Sequence, residues 1–306
     1  MTIRLSVVLP TYNPSSERLL SVLEALRAQS LGSESWELLV VDNGSDPPLE
    51  GRIDLTWHSS GRIVREDALG LTRARLSGFH ASKGEIVVLV DDDNVLAPDF
   101  LEQALRIADV HPELGTWSGS VFPRYERPDL APPKSLLPLL TIRQLTSDLW
   151  SNDVDHHAST PWGAGMCIRQ SVLRQYVIDL EARLPGLQLD LEGERLIYGG
   201  DTDIAYTGCA MGLGKGVFRA LRLEHLIPAQ RCGSDYLCRV SEGRGFTEVL
   251  HTLILTGRLP EEGFSIGRWL REKRSVLRGS LVERRVARAR LKGRSRAMRE
   301  LRSIHG

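Results

Sequence analysis

Three consecutive carboxylates, Asp91, Asp92 and Asp93, directly follow the apolar run at 86–90. Unit charges a few ångströms apart repel by roughly 1 kcal/mol per pair even in bulk water, so we expect a cation to bind there. If the strand continues through the triplet, alternation puts Asp91 and Asp93 on one side and Asp92 on the other. Carboxylate oxygens are the ligands that Mg²⁺ and Mn²⁺ prefer, and these ions commonly bridge to substrate phosphates. The triplet therefore indicates a divalent metal site, with a solvated acidic turn as the alternative.

The elements before the triplet alternate between strands and helices. Two apolar runs and the run that ends in the triplet are typical of buried strands: LSVVLP, WELLVVD and EIVVLVDDD. Between them, SERLLSVLEALRAQS and LTRARLSGFHAS have the apolar spacing of amphipathic helices. Strands that are apolar throughout and separated by helices predict an α/β fold with a mostly parallel sheet flanked by helices. Ligands of such sheets bind outside the carboxyl ends of the strands, where this chain carries PTYN, DNGSD and DDDN.

The second half of the chain is less regular. GTWSGSVFPRY predicts a strand, APPKSLLPLLTIRQLTSDLW a helix opened by proline, and the loop after it leads into a short strand. DTDIAYTGCAM predicts a helix that stops at glycine, and the stretch after residue 234 predicts one or two more helices. We expect a compact body over 1–259, divided into two halves at 1–110 and 111–259, followed by a basic helical extension at 260–306.

Composition limits the class of protein. The 306 residues carry 39 basic and 39 acidic side chains, so the chain as a whole has no nucleic-acid or membrane signature. Its four cysteines form no CxxC pair, which favours a reducing compartment. The N-terminus fits a buried strand better than a signal peptide, and no stretch approaches the roughly 20 apolar residues of a membrane span. These features predict a cytoplasmic protein.

The ordered motifs VVLPTYNPS, ELLVVDNGSD and GLTRARLSGFHASKGEIVVLVDDDNVLAPDFL resemble the family 2 glycosyltransferases, which have the GT-A fold. The later stretch YGGDTDIAYTGCAMGLG is similar to the segment that carries this family's Glu-Asp pair. The resemblance implies a metal-dependent, inverting transfer of a sugar from a nucleotide-diphosphate sugar to an acceptor hydroxyl, as in polysaccharide or glycolipid synthesis. It favours a UDP-sugar as donor and a saccharide or lipid-linked acceptor.

The resemblance makes 1–110 the nucleotide-binding half of a glycosyltransferase domain and 111–259 its acceptor-binding half, and it assigns roles to residues of the first half. Residues that line the nucleotide pocket or contact the donor are expected to be Pro10, Thr11, Tyr12, Asp42, Arg75, Asp91 and Asp92. Asp42 would bind the base, and Arg75 the base or the diphosphate. Asp93 would be the principal metal ligand, while Asp91 would contact the ribose or the sugar and serve as a second metal ligand.

In the second half, Asp201 is the expected catalytic base and Asp203 the alternative, although a carboxylate in the first turn of a helix can simply complement the helix dipole. His225 would complete the metal site, and a neutral imidazole ligand favours Mn²⁺ over Mg²⁺. Trp162 and Gly163 would border the donor sugar and the acceptor. The alternative for Trp162 is a place in the core.

Two positions depart from the family pattern: the chain has Leu76 where asparagine is usual and Gly200 where glutamate is usual. A catalytically silent nucleotide-sugar-binding or scaffold protein is therefore a competing interpretation. A nucleotidyltransferase is another, although the first turn lacks the basic, glycine-rich phosphate loop that it would need.

The C-terminal segment is strongly basic. From residue 268 onward it holds 14 lysines and arginines against three glutamates, with apolar residues interspersed. Such a pattern fits an amphipathic helix on an anionic membrane, at the inner face in a cytoplasmic protein. The alternatives are a helical face packed on the acidic body and a dimer contact. We expect no nucleic-acid binding, because few aromatic residues accompany the cations.

Overall fold

A computed structural model describes residues 3–183, 200–260 and 279–305. The strands in chain order are β1 (Leu5–Thr11), β2 (Trp36–Asp42), β3 (Gly61–Arg65), β4 (Ile86–Leu89), β5 (Asn94–Leu96), β6 (Leu114–Tyr125), β7 (Leu149–Ser151), β8 (Cys167–Arg169) and β9 (Gly214–Ile227). The α-helices are α1 (Ser16–Arg27), α2 (Leu71–Ala81), α3 (Phe100–Val110), α4 (Gln170–Arg183), α5 (Gly200–Ala210), α6 (Ala229–Cys232), α7 (Ser234–Thr256) and α8 (Leu281–His305).

Within the described ranges all these strands join one sheet, in the order β3-β2-β1-β4-β8-β6-β9-β5, with β7 paired to β9. The first four strands in this order are parallel, while the β4–β8, β8–β6, β9–β5 and β9–β7 pairs are antiparallel. The predicted α/β fold is confirmed. The sheet is parallel only over its N-terminal half, so as a whole it is mixed rather than mostly parallel.

A hydrophobic core lies between the sheet and helices α2, α4 and α5. Its members include Val8 of β1, Val41 of β2, Phe79 of α2 and Ile204 of α5, all at most 4% exposed. Gly78 allows α2 to approach β1 closely, because a Cβ at this position would lie 2.3 Å from Cγ1 of Val8. This close packing places α2 beside the strands that carry the polar loops.

Several elements differ from the sequence prediction, and two of these differences have a clear physical reason. The proline-opened helix expected before Trp150 is a short 3₁₀ helix over Lys134–Leu140, followed by irregular chain and β7. Pro138 lies inside the 3₁₀ segment, and a proline in a helix interior cannot donate the backbone hydrogen bond that an α-helix requires. Strand β3 was not anticipated, because its residues are only partly buried and lack the continuous apolar run of β1 and β2.

The chain divides into two compact units. One comprises Met1–Arg124, Arg143–Gly193 and Gly200–Leu226, and the other comprises Tyr125–Ile142, Glu194–Gly199 and Ile227–Gly306. Every candidate site residue from the sequence lies in the first unit. The two halves at 1–110 and 111–259 stay a prediction, as does the boundary at 260. Part of the predicted basic extension, 261–278, lies outside the described residues.

In the second unit, the basic helix α8 packs on α7. Gly293 of α8 lies against the backbone of α7, since a Cβ there would be only 1.9 Å from the carbonyl oxygen of Glu242. Glu242 also pairs with Arg296 at 2.8 Å and with Lys292 at 3.1 Å. Val286, Ala297 and Leu301 of α8 are buried. The apolar side of this helix therefore lies inside its own unit. No helix in the described ranges is both long enough and apolar enough to cross a membrane.

Candidate functional site

The acidic triplet occupies the turn between β4 and β5, where the Asn94 N–H donates a 3.0 Å hydrogen bond to the Asp91 carbonyl. The sequence argument from strand alternation was therefore wrong, because the strand ends at Leu89. The three carboxylates contact different partners instead. Asp91 contacts Arg75, Asp92 accepts a hydrogen bond from the Thr11 hydroxyl, and Asp93 contacts His225.

Asp93 and His225 meet because β5 and β9 pair side by side. The antiparallel register puts Asn94 opposite His225, and the Leu226 N–H donates a 2.8 Å hydrogen bond to the Asp93 carbonyl. Oδ2 of Asp93 then lies 3.4 Å from Nε2 of His225, with side chains only 6% and 9% exposed. A histidine far along the chain is thus fixed next to the triplet by the backbone of the sheet.

This donor pair fits a divalent ion. Two ligands at right angles on one ion, each about 2.1 Å from it, are about 3 Å apart, close to the separation of Asp93 and His225. The described residues contain no group of three or more His, Cys, Asp or Glu side chains arranged to hold a metal. An ion bound here would take its other ligands from water and substrate phosphates, as Mg²⁺ commonly does.

Arg75 of α2 lies beside Asp91, with Nη2 at 3.5 Å from Oδ1, and its side chain is 15% exposed. Its buried Nε has no hydrogen-bond partner among the described residues. Leaving such a donor unsatisfied costs about 1–3 kcal/mol, so this cation is suited to an anionic ligand. The next residue, Leu76, packs against the core, which accounts for an apolar side chain where the family usually has asparagine.

Asp201 lies in the first turn of α5 and contacts the loop before β8. Its Oδ2 accepts a 2.8 Å hydrogen bond from the Gly163 N–H, and its Oδ1 accepts one of 3.0 Å from the Thr202 N–H. Asp203 shares this first turn, where both carboxylates complement the helix dipole. Among the described residues, the neighbour of a Cβ at Gly200 would be the Tyr176 hydroxyl, at 3.7 Å.

Gly163 joins the two parts of the site. A Cβ at Gly163 would lie 3.4 Å from Nη2 of Arg75 and 3.6 Å from Oδ2 of Asp201. The cation next to the triplet and the candidate base therefore approach the same point of the backbone. Trp162 is partly exposed rather than buried in the core, and the guanidinium of Arg143 lies 4.2 Å from its ring centroid. The sequence did not single out Arg143, because no motif surrounds it.

The remaining residues predicted to bind the nucleotide lie at the ends of β1 and β2. Pro10 and Thr11 are buried, while Tyr12 is 54% exposed and free to present its ring to a ligand. Asp42 is only 1% exposed, and its carboxylate accepts bonds from the N–H groups of Ser45 at 3.0 Å and Leu49 at 2.9 Å.

Arg65 donates a third bond to Asp42, at 2.8 Å. Burial by itself would raise the pKa of Asp42, but hydrogen bonds from Leu49, Ser45 and Arg65 outweigh it and hold the pKa below its ordinary value. The carboxylate of Asp42 therefore stabilises the loop that follows β2.

Curated relatives match about a third of this chain. Over 113 residues, 36% of this chain and 12% of the relative, it is 34% identical to the uncharacterized protein y4gI of Sinorhizobium fredii. It is 26% identical over 111 residues, 36% of each protein, to an uncharacterized glycosyltransferase of Haemophilus influenzae. The matched stretch thus spans about a third or less of these curated relatives.

Among solved structures, the fold is similar to that of S. aureus TarS 1-349 in its complex with UDP-GlcNAc. The TM-score is 0.54 at 13% identity, and the match covers 97% of this chain and 92% of that one. At this level of identity the likeness concerns the fold alone.

The sequence model of the family described as "Glycosyl transferase family 2" matches residues 6–176, which is more than half of the chain and includes the triplet, Arg75 and Gly163. The chain belongs to glycosyl transferase family 2.

Proposed function

We propose that the protein transfers a sugar from a nucleotide-diphosphate sugar to an acceptor hydroxyl, with inversion at the anomeric carbon. The observation that carries this proposal is the convergence at Gly163, where Nη2 of Arg75 and Oδ2 of Asp201 lie 3.4 and 3.6 Å from the point that a Cβ would occupy. A cation for the leaving diphosphate and a carboxylate for the acceptor proton are the two groups that such a transfer needs.

The donor would occupy the carboxyl ends of β1, β2 and β4, with its base against the exposed ring of Tyr12. A UDP-sugar is the first donor class to test, since the structurally similar TarS was crystallised with UDP-GlcNAc. Arg75, with its unsatisfied Nε, would bind the diphosphate. Asp42 would act indirectly, by shaping the loop after β2.

Asp93 and His225 would hold a divalent ion, and Asp91 would contact the ion or a donor hydroxyl. When bound, the ion supplies Lewis acidity that stabilises the negative charge developing on the leaving diphosphate. A neutral imidazole donor at His225 favours Mn²⁺ over Mg²⁺.

Asp201 would act as the general base. It takes the proton from the acceptor hydroxyl while the acceptor oxygen forms a bond to the anomeric carbon. The bond from that carbon to the diphosphate oxygen breaks, and the nucleoside diphosphate leaves with the electron pair. A positioned carboxylate base typically contributes 10²–10⁴-fold to the rate. The Gly163 N–H would hold Asp201 in place, and Trp162 would offer a ring face to a sugar.

The acceptor would be a saccharide or a lipid-linked saccharide. Arg288, Arg299 and Arg302 of α8 are exposed on its outer side, whereas Val286, Ala297 and Leu301 on its apolar side are buried. Contact with an anionic membrane would therefore be electrostatic, through the arginines, rather than by insertion of an apolar face. Each such cation is worth about 1 kcal/mol near an anionic surface.

The experiment that tests the proposal is a panel of UDP-, GDP- and dTDP-sugars with Mn²⁺, Mg²⁺ or EDTA, in which release of the nucleoside diphosphate is measured. Metal-dependent release from one donor supports sugar transfer. Binding of a nucleotide sugar without turnover would favour the silent binding protein instead. A parallel assay supplies a nucleoside triphosphate and a sugar phosphate, and release of pyrophosphate there would favour a nucleotidyltransferase.

A further inference from the structure

Arg143 makes three contacts around the loop that carries Trp162. Its Nη1 donates a 2.9 Å hydrogen bond to the carbonyl of Thr160, and its Nη2 donates one of 3.2 Å to Oγ of Ser118. Its guanidinium lies over the Trp162 ring at 4.2 Å from the centroid. A planar guanidinium can make a forked pair of hydrogen bonds and stack on an aromatic ring at the same time, which a lysine cannot.

The backbone of Arg143 is itself fixed to the sheet. Its N–H and carbonyl exchange hydrogen bonds of 3.2 and 2.7 Å with Val121, which lies on β6. Ser118, on the same strand, also accepts a 3.2 Å hydrogen bond from the Trp162 N–H. Segment 160–162 is therefore attached to β6 both directly, through Ser118, and indirectly, through Arg143.

The next N–H along this loop belongs to Gly163 and donates to Asp201 at 2.8 Å. A displacement of Thr160 or Trp162 would move this donor, because one peptide unit separates Trp162 from Gly163. A misplacement of about 1 Å in a reacting group can cost 10²-fold in rate. The orientation of Asp201 therefore depends on the attachment of the loop to β6.

The positive charge of Arg143 also interacts with the Asp201 carboxylate. Burial lowers the pKa of Arg143 to about 10, and the negative charge of Asp201 opposes this lowering. The guanidinium thus stays protonated at neutral pH and places a positive charge near the Asp201 carboxylate.

From these contacts we infer that Arg143 is a positioning residue for sugar transfer: it holds the loop at 160–163 and thereby the carboxylate of Asp201. This inference rests on the proposed function for its kinetic consequence. The hydrogen-bonded connection from Arg143 to Asp201 can also be measured without any turnover.

The test compares Arg143→Met, Arg143→Lys and Ser118→Ala with wild type, with Arg219→Met as the matched control. Arg219 is an exposed arginine that pairs with Asp148 at 3.4 Å. We expect Arg143→Met to lower kcat about 10²-fold while the KM for the donor changes less than threefold. Arg143→Lys should recover part of kcat, because it restores the charge and one hydrogen bond. Ser118→Ala should lower kcat less, and Arg219→Met should not lower it.

Amide hydrogen exchange supplies the readout that is independent of activity. In folded Arg143→Met and Ser118→Ala, the Gly163 amide should exchange at least tenfold faster, with no such change in Arg219→Met. If Arg143→Met fails to fold, the exchange rate of the Gly163 amide in Ser118→Ala tests the inference, since that change removes only one hydroxyl.

Unchanged exchange at Gly163, or unchanged kcat in folded Arg143→Met, overturns the inference. If the wild-type protein turns over no donor, the proposed function is overturned instead. In that case the exchange rate of the Gly163 amide alone tests the positioning role of Arg143.

Discussion

Oδ2 of Asp93 lies 3.4 Å from Nε2 of His225, and both side chains are almost fully buried. This separation is long for a hydrogen bond between the two groups but close to that of two ligands on one ion. The pairing of β5 with β9 sets this distance, so the pair is preorganised before any ligand binds.

The first prediction concerns this pair. His225→Gln removes the imidazole donor while keeping a similar volume, so we expect metal affinity, measured by Mn²⁺ titration calorimetry in the presence of UDP, to fall at least tenfold. His80→Gln, which changes an exposed histidine on α2, is the matched control and should bind Mn²⁺ like wild type. Equal Mn²⁺ affinity in His225→Gln and wild type would remove His225 from the metal site.

The second prediction concerns the base. Asp201→Asn keeps an acceptor for the Gly163 N–H but cannot take a proton, so we expect transfer to fall 10²–10⁴-fold. Donor affinity, measured by calorimetry, should stay within threefold of wild type. Asp203→Asn, in the same helical turn, should retain transfer. A large loss in Asp203→Asn with little loss in Asp201→Asn would exchange the two roles.

The third prediction concerns acid stability. The folded pKa of Asp42 is below its ordinary value, so its stabilising contribution is complete above about pH 5. This contribution is lost as pH falls through the unfolded value of about 3.9 toward the lower folded value. Urea unfolding at pH 5 and pH 3 should show a smaller drop in the free energy of unfolding for Asp42→Asn than for wild type. Identical drops would mean that Asp42 titrates alike in both states.

The fourth prediction concerns the close contact between α7 and α8. Gly293→Ala places a Cβ against the backbone carbonyl of Glu242, which cannot move as a side-chain end could. We expect the free energy of unfolding, measured by urea denaturation, to fall by about 1–3 kcal/mol. Ser295→Ala, an exposed position of α8, should change it by less than about 0.5 kcal/mol. No loss in Gly293→Ala would mean that the two helices pack less closely.

The fifth prediction concerns the outer face of α8. Replacement of Arg288, Arg299 and Arg302 by glutamine removes about 3 kcal/mol of attraction, so we expect affinity for vesicles with anionic headgroups to fall roughly 10²-fold. Flotation with such vesicles measures this, and binding of wild type should weaken as salt rises. Equal affinity of the wild-type protein for neutral and anionic vesicles would contradict an electrostatic contact between α8 and the membrane.

Much of the fold could be predicted from the sequence, because buried strands and amphipathic helices leave a periodic signal. The apolar runs of β1, β2 and β4 and the helices α1 and α2 lie where the patterns predicted them. The failures have physical causes. β3 is only partly buried, and Pro138 restricts the expected helix to a 3₁₀ segment.

The residue types of the candidate site could be proposed from the sequence, but their geometry could not. Asp93 and His225, which the resemblance assigns to one metal site, lie 3.4 Å apart, yet the three aspartates occupy a turn rather than one strand. A register between two strands that are distant in sequence is set by the whole sheet, and no local pattern encodes it. The same reason explains why Arg143 went unnoticed: its importance comes only from contacts made in the folded chain.

The measurement that tests the central claim most directly is release of nucleoside diphosphate from a UDP-sugar by wild type and Asp93→Asn, each with Mn²⁺ and with EDTA. We predict release by wild type with Mn²⁺, its loss in EDTA, and at least a 10²-fold reduction in Asp93→Asn. Release that is equal in EDTA, or unchanged in Asp93→Asn, would contradict a metal-assisted transfer at this site.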